Sequence, residues 1–188
     1  TSITETSEGD AELNITDTPK ATTTSKTGSA LTSAEVYAKV SPSNVGIVVY
    51  SQSSSSASGE GSGIVMGENK DHTCTYIITC AHVISGEGVK AVVQLHDGKQ
   101  YDAEIVGYDS RTDIGVLKIK ATGFTAAEFG DSTKLSVGET VYAIGNPGGT
   151  EFFGSFTNGM VSAISRTVSS QIGYSMAVSY THLRAHET

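Results

Sequence analysis

Residues 76–84 of the chain read Tyr-Ile-Ile-Thr-Cys-Ala-His-Val-Ile, a short apolar run that ends at a histidine. The β-branched and aromatic residues at 75–79 predict a buried strand. His82 follows this strand directly, and Gly86 and Gly88 come soon after it. A histidine at a strand end is most simply a half-buried, hydrogen-bonded side chain. A catalytic function for His82 therefore requires a partner elsewhere in the chain.

A second stretch, residues 109–119, reads Asp-Ser-Arg-Thr-Asp-Ile-Gly-Val-Leu-Lys-Ile. Because side chains alternate between the two faces of a strand, we expect Asp113 to share a face with Leu117 and Ile119. An acid on an apolar face is costly to bury unless it accepts hydrogen bonds, and a histidine is one candidate donor. The alternative is that Asp113 is a turn residue that accepts bonds from nearby backbone amides.

Outside these two stretches, strand signals recur at short intervals and clusters of Gly, Asn, Asp and Ser separate them. The predicted strands are 45–50, 64–66, 75–79, 91–95, 100–108, 115–120, 140–144 and 159–164. A short helix is predicted after Thr32, ended by Pro42, and residues 51–63 are predicted to be a flexible surface loop. This pattern predicts an all-β barrel or sandwich.

The composition excludes several classes of function. The net charge is −8 and no basic run is present, which argues against a nucleic-acid partner. The longest apolar runs, such as residues 47–50, are too short to span a bilayer. Cys74 and Cys80 flank one predicted strand, about 20 Å apart, so no disulfide is expected.

The order of His82 before Asp113, on successive strand-rich segments, is one of the few chain orders known for a Ser-His-Asp triad. In such a triad His82 would take the proton of a serine. Asp113 would hold the imidazole in the correct tautomer and stabilise its protonated form.

The residues around both stretches resemble the HtrA (Deg) family of trypsin-like serine proteases, from about residue 40 to about residue 178. The motifs that carry the resemblance are Gly-Ser-Gly-Ile-Val at 61–65, the stretch at 76–84, Asp-Gly-Lys at 97–99, Ala-Glu-Ile-Val-Gly-Tyr-Asp at 103–109, Thr-Asp-Ile-Gly-Val-Leu-Lys-Ile at 112–119, Gly-Asp-Ser at 130–132, Leu-Ser-Val-Gly at 135–138, Ala-Ile-Gly-Asn-Pro-Gly at 143–148 and Gly-Met-Val-Ser-Ala-Ile at 159–164. The resemblance implies a two-barrel chymotrypsin-like fold, with the first barrel complete, the second incomplete and a disordered linker before them.

The resemblance also implies an activity and a location. HtrA proteases are serine endopeptidases that degrade unfolded or misfolded proteins in the cell envelope without ATP. The implied partners are unfolded polypeptides, and the full-length protein is expected to form a homotrimer. The Ser- and Thr-rich start is most similar to membrane-anchored HtrA proteins of Gram-positive bacteria. We therefore expect an extracytoplasmic protein, either in the cell envelope or anchored to the membrane.

The chain departs from the family in its last part. The family places its nucleophile in a Gly-Asn-Ser-Gly-Gly motif, which these 188 residues do not contain. Residues 145–149 imitate it with Pro147 in place of the serine, but they match an earlier family element and predict a glycine-rich turn. We therefore expect a protease domain truncated before its serine, and a chain that is inactive as it stands.

Three segments are predicted along the chain. Residues 1–31 are rich in Ser and Thr and poor in apolar side chains, which predicts a disordered linker. Residues 32–178 form the truncated protease domain. Residues 179–188 fit the family nowhere, and we expect them to be a sequencing artefact.

The sequence also leaves two alternative functions and a possible metal site. One alternative is a catalytically dead module that binds unfolded polypeptide; the other, a cysteine protease of the same fold, has no cysteine after Asp113 to serve as nucleophile. Among the potential zinc ligands, His72 and Cys74 are separated from Cys80 and His82 by a strand of about 20 Å. We therefore expect no metal site and no cofactor.

Overall fold

The computed structural model describes residues 31–51, 56–169 and 175–182. Its two helices and nine strands, in chain order, are α1 Ser33–Val40, β1 Asn44–Tyr50, β2 Ala57–Glu68, β3 Thr75–Cys80, α2 Ala81–Ile84, β4 Lys90–Gln94, β5 Gln100–Asp109, β6 Ile114–Ile119, β7 Thr140–Gly145, β8 Ser155–Ser169 and β9 Ser175–His182. Short 3-10 turns lie at Ser41–Ser43, Ser132–Lys134 and Thr150–Phe152. Within these residues no helix is long and apolar enough to cross a membrane.

The first six strands form a closed antiparallel barrel in the order β1-β2-β3-β6-β5-β4, and β1 pairs with β4 to close it. Alternate residues of each strand point into the barrel, as the period of two requires. The interior is built from branched aliphatic side chains: Val45, Ile47, Val49, Val65, Ile77, Ile84, Val93, Leu117 and Ile119. The predicted complete first barrel is confirmed.

Strands β7, β8 and β9 form a separate three-stranded antiparallel sheet. One closed barrel followed by part of a second is the arrangement expected of the two-barrel chymotrypsin-like fold, and this fold class is confirmed. The boundary predicted at residue 178 falls inside β9, so no change of element marks it. The predicted linker lies outside the described residues except for Leu31, and both terminal segments stay predictions.

The prediction of a flexible loop over 51–63 is wrong for its second half, because β2 begins at Ala57. Gly59, Gly61 and Gly63 lie within this strand. Side chains of neighbouring elements fill the space that their own side chains would need. A methyl group at Gly63 would lie 2.9 Å from both Ile47 Cδ1 and Ile77 Cγ2. The glycines therefore permit close packing here rather than a loose loop.

Helix α1 begins as predicted, with Thr32 as its N-cap. The Thr32 side chain accepts a hydrogen bond from the backbone of Glu35, whose carboxylate accepts one from the Thr32 amide, and this completes a capping box. Tyr37 on this helix packs edge-on against Phe156 of β8, with ring centroids 5.2 Å apart. Helix α1 therefore packs against the second sheet.

Asn146, in the turn after β7, joins the second sheet to the barrel. Its buried side chain donates to the backbone oxygen of Val45 at 2.8 Å and accepts from the Asn44 side chain at 3.0 Å and the Gly154 amide at 2.9 Å. Its own amide donates to the Ser62 hydroxyl at 2.7 Å. The segment that imitates a nucleophile motif is thus a structural turn, as its glycine-rich pattern predicted.

We expect Asn146→Ala to destabilise the chain by about 1–3 kcal/mol or more, because it leaves buried donors and acceptors without partners. Urea unfolding of the 188-residue chain measures this loss. Asn158→Ala is the matched control, because Asn158 is exposed on β8. Equal unfolding midpoints for the two variants would show that the Asn146 contacts do not hold the two sheets together.

Candidate active site

His82 and Asp113 lie side by side at one end of the barrel. His82 sits in α2, the single helical turn that follows β3, and Asp113 lies in the turn just before β6. The His82 Nδ1 atom is 2.8 Å from Asp113 Oδ2, and the His82 backbone amide donates to Asp113 Oδ1 at 2.9 Å. The Ala81 amide also donates to the backbone oxygen of Asp113, at 3.0 Å. Both carboxylate oxygens of Asp113 are therefore used to hold the histidine.

The pairing of β3 with β6 brings these residues together, because Cys80 lies opposite Ile114. The prediction that Asp113 shares the apolar face of a strand is wrong in its geometry. Asp113 precedes the strand and has a φ of 56°, in the left-handed region that Asp tolerates better than most residues. It is both the turn residue and the histidine partner that the sequence offered as alternatives.

Two glycines beneath α2 let it approach the barrel closely. A methyl group at Gly61 of β2 would lie 2.9 Å from Val83 Cγ2, and one at Gly115 of β6 would lie 2.6 Å from Ile84 Cδ1. Val83 and Ile84 are the two residues that follow His82. Sequence reasoning missed this support, although Gly61 and Gly115 both stand in motifs that it singled out.

Residues 61–185 match the sequence model of the trypsin-like peptidase domain family. The chain belongs to this family. Its matched region includes both members of the His-Asp pair and extends through the second sheet. The pairing of an imidazole with an aspartate at 2.8 Å is the arrangement that trypsin-like peptidases use to orient their general base.

The relatives of this trypsin-like peptidase domain are HtrA-type proteases, and the resemblance seen in the sequence is confirmed. A serine protease Do-like HtrA of Lactobacillus helveticus is 44% identical over 135 residues, which cover 68% of this chain and 32% of the relative. A probable periplasmic serine endoprotease, DegP-like, of Halomonas elongata is 43% identical over 57% of this chain and 21% of its own length. The chain thus spans about a third or less of these relatives.

A solved structure shows the same similarity in three dimensions. The crystal structure of Deg5 superimposes with a TM-score of 0.64 at 29% sequence identity, covering 81% of this chain and 73% of that one. The fold of this trypsin-like peptidase domain is therefore shared with a Deg protein at low sequence identity.

The electrostatics of the pair favour an ionised aspartate. Burial raises the pKa of the Asp113 carboxyl. Hydrogen bonds from the His82 amide and imidazole, the charge of a protonated His82 and the bond from Ala81 lower the pKa by more than burial raises it, so its net shift is downward. The Asp113 side chain is 19% exposed and that of His82 is 58% exposed. The carboxylate is largely buried, whereas the imidazole is open to solvent.

The lowered pKa of Asp113 predicts that the stability of the folded chain depends on pH. Because the folded-state pKa of Asp113 is lowered, its stabilising contribution is present above the unfolded pKa of about 3.9 and is lost as the pH falls through the folded pKa. Carboxyl-carbon NMR of the 188-residue chain should give Asp113 a midpoint below that of an ordinary aspartate. In His82→Ala that midpoint should rise, and an unchanged midpoint would mean that the imidazole does not act on the carboxylate.

His82 also lines an open cleft with a volume of about 290 Å³. Valines, serines and a glutamate are among the residues that line it. Its other lining residues are Val49, Ser58, Gly59, Glu60, Val83, Ser85 and Val89.

Cys80, at the end of β3, is exposed, whereas Cys74, which precedes the strand, is buried. Partial burial of the thiol raises its pKa, and the charge of Asp113 and a hydrogen bond to that carboxylate raise it further. His72 and Cys74 precede the same strand at its other end, where His72 Nδ1 lies 2.6 Å from Glu68 Oε2.

Proposed function

We propose that this chain supplies the general base and its orienting carboxylate to a serine endopeptidase. The observation that carries the proposal is the 2.8 Å contact between His82 Nδ1 and Asp113 Oδ2 beside an exposed imidazole. Held in this way, the Nδ1–H of His82 points at the carboxylate, which leaves the Nε2 lone pair for a serine proton. When the serine attacks the peptide carbonyl, Asp113 stabilises the imidazolium that forms.

The nucleophile of the proposed enzyme lies outside these 188 residues. The Gly-Asn-Ser-Gly-Gly motif, which would supply both the serine and the oxyanion-hole amides, does not occur in the chain. The chain by itself is therefore expected to be inactive. We expect activity only from a product that also contains such a motif.

The proposed substrates are unfolded or misfolded polypeptides outside the cytoplasm. The cleft beside His82 supports a peptide substrate, because both apolar and polar side chains line it. The relative from Halomonas elongata is named a periplasmic endoprotease, which supports an envelope location. Attachment to a membrane and assembly into trimers are further parts of this proposal.

A protease assay on two gene products tests the proposal. The source DNA is sequenced past codon 178, and the product that extends through the next Gly-Asn-Ser-Gly-Gly motif is expressed beside the 188-residue chain. We expect the longer product to cleave unfolded casein and a serine-reactive inhibitor to block it, whereas the shorter chain does not cleave. If no serine motif follows in frame, the proposal fails and a module that only binds unfolded polypeptide replaces it.

A further inference from the structure

Cys80, His82 and Asp113 bring three different metal-binding atoms to one place. One ligand atom of each residue (a thiol sulfur, an imidazole nitrogen and a carboxylate oxygen) lies within 4.8 Å of the other two. Thiolate, imidazole and carboxylate are the three side-chain ligands that zinc uses in proteins. This set shares Cys80 and His82 with the four potential zinc ligands identified in the sequence. Asp113 takes the place of the distant His72 and Cys74.

The positions of the three residues are set by the barrel. Cys80 is the last residue of β3 and is paired with Ile114 of β6, the neighbour of Asp113. Asp113 is held by the backbone amides of Ala81 and His82. A metal ion would therefore meet a set of ligands whose backbone is already ordered, which lowers the entropic cost of binding.

The site is also open to solvent. Cys80 is exposed, and the His82 side chain is 58% exposed. An ion can enter without displacing a side chain from the core, and a water molecule can take the fourth position of a tetrahedral zinc. The bond lengths of such a centre, about 2.0–2.3 Å, place its ligand atoms about 3.3–3.6 Å apart. Atoms that are 4.8 Å apart must therefore draw closer by about 1 Å, and His82 Nδ1 must separate slightly from Asp113 Oδ2 if both bind. Cys80 and His82 are exposed, so their side chains can make these movements.

We propose that Cys80, His82 and Asp113 form a binding site for zinc or a similar borderline-soft divalent cation, and that the occupied site blocks catalysis. On binding, the thiol proton is released to solvent and the thiolate sulfur coordinates the metal. If Nδ1 of His82 binds the metal, the imidazole proton moves from Nδ1 to Nε2. If Nε2 binds the metal, its lone pair forms the bond to the metal. In both cases His82 has no free Nε2 lone pair for a serine proton.

The blocking effect rests on the proposed protease function, but the binding does not, so binding is tested first on the 188-residue chain. Cobalt(II) is the probe, because a cobalt–thiolate bond gives a charge-transfer absorption that nitrogen and oxygen ligands do not. We expect one cobalt ion per chain with this absorption, and displacement of cobalt by zinc. Cys80→Ala should abolish the absorption and weaken zinc binding at least tenfold by calorimetry.

Two controls keep this test specific. Cys74→Ala removes the other thiol, and His72→Ala removes the histidine near it; both should keep the absorption and the zinc affinity. Asp113→Asn should weaken zinc binding while leaving the thiol in place. Binding without the absorption, or equal binding by wild type and Cys80→Ala, would overturn the site.

The regulatory part is then tested on the longer, active product. Zinc should inhibit casein cleavage and a chelator should restore it, and Cys80→Ala should be active and resistant to the same zinc concentration. Equal inhibition of wild type and Cys80→Ala would overturn a regulatory function for this site. An inactive longer product would instead count against the proposed protease function, without affecting the cobalt result.

Discussion

Asp113→Asn is expected to lower the kcat of the longer, serine-bearing product by about 10⁴-fold, with little change in KM. Asp113 uses two carboxylate oxygens to accept from the His82 amide and from its Nδ1–H. An amide side chain has only one acceptor oxygen, and its NH₂ group faces the imidazole as a donor. The imidazole then adopts the other tautomer, with its proton on Nε2, and cannot accept one from serine.

Steady-state kinetics with an unfolded protein or a peptide substrate measure this effect. Asp109→Asn is the matched control, because Asp109 is an exposed aspartate four residues earlier whose carboxylate only supports its own turn. His82→Ala should be about as damaging as Asp113→Asn, and the double variant little worse than either, because the two residues act as one unit. Additive losses, or an active Asp113→Asn variant, would contradict the assigned functions.

Ile84→Ala is expected to destabilise the 188-residue chain by about 2–5 kcal/mol, the range for removing a fully buried aliphatic side chain. Ile84 lies in α2, is 0% exposed and belongs to the barrel core. Urea unfolding measures the loss. Ile64→Ala, at a position that is 44% exposed on β2, is the control and should cost far less.

The close approach of Ile84 to Gly115 allows a more specific test of how α2 packs on the barrel. Gly115→Ala alone should cost about 1–3 kcal/mol, because the added methyl group meets Ile84 Cδ1 at 2.6 Å. In the Ile84→Ala background the same change should cost much less, because the methyl group enters the space that Ile84 leaves. A double-mutant cycle with no coupling would mean that Gly115 does not seat the turn that carries His82.

The two residues of the candidate site could be predicted from the sequence, but the packing that positions them could not. His82 and Asp113 were identifiable because each follows or precedes an apolar strand and because their order matches a known triad. The glycines under α2 were not identifiable, because a glycine that makes room for another side chain and a glycine in a loose turn look alike in sequence. For the same reason residues 57–63 were predicted to be loop and are strand.

The sequence by itself determined the all-β class, most strand positions, the helix capped by Thr32 and the two residues of the candidate site. These follow from local signals: a period of two in apolar side chains, turn residues between strands, and capping chemistry. Only the tertiary structure decided that Asp113 adopts a positive φ, that Asn146 joins the two sheets, and that Cys80 faces solvent beside the histidine. Those features depend on contacts between segments far apart in the chain, where strand register and close packing, rather than local preference, set which atoms meet.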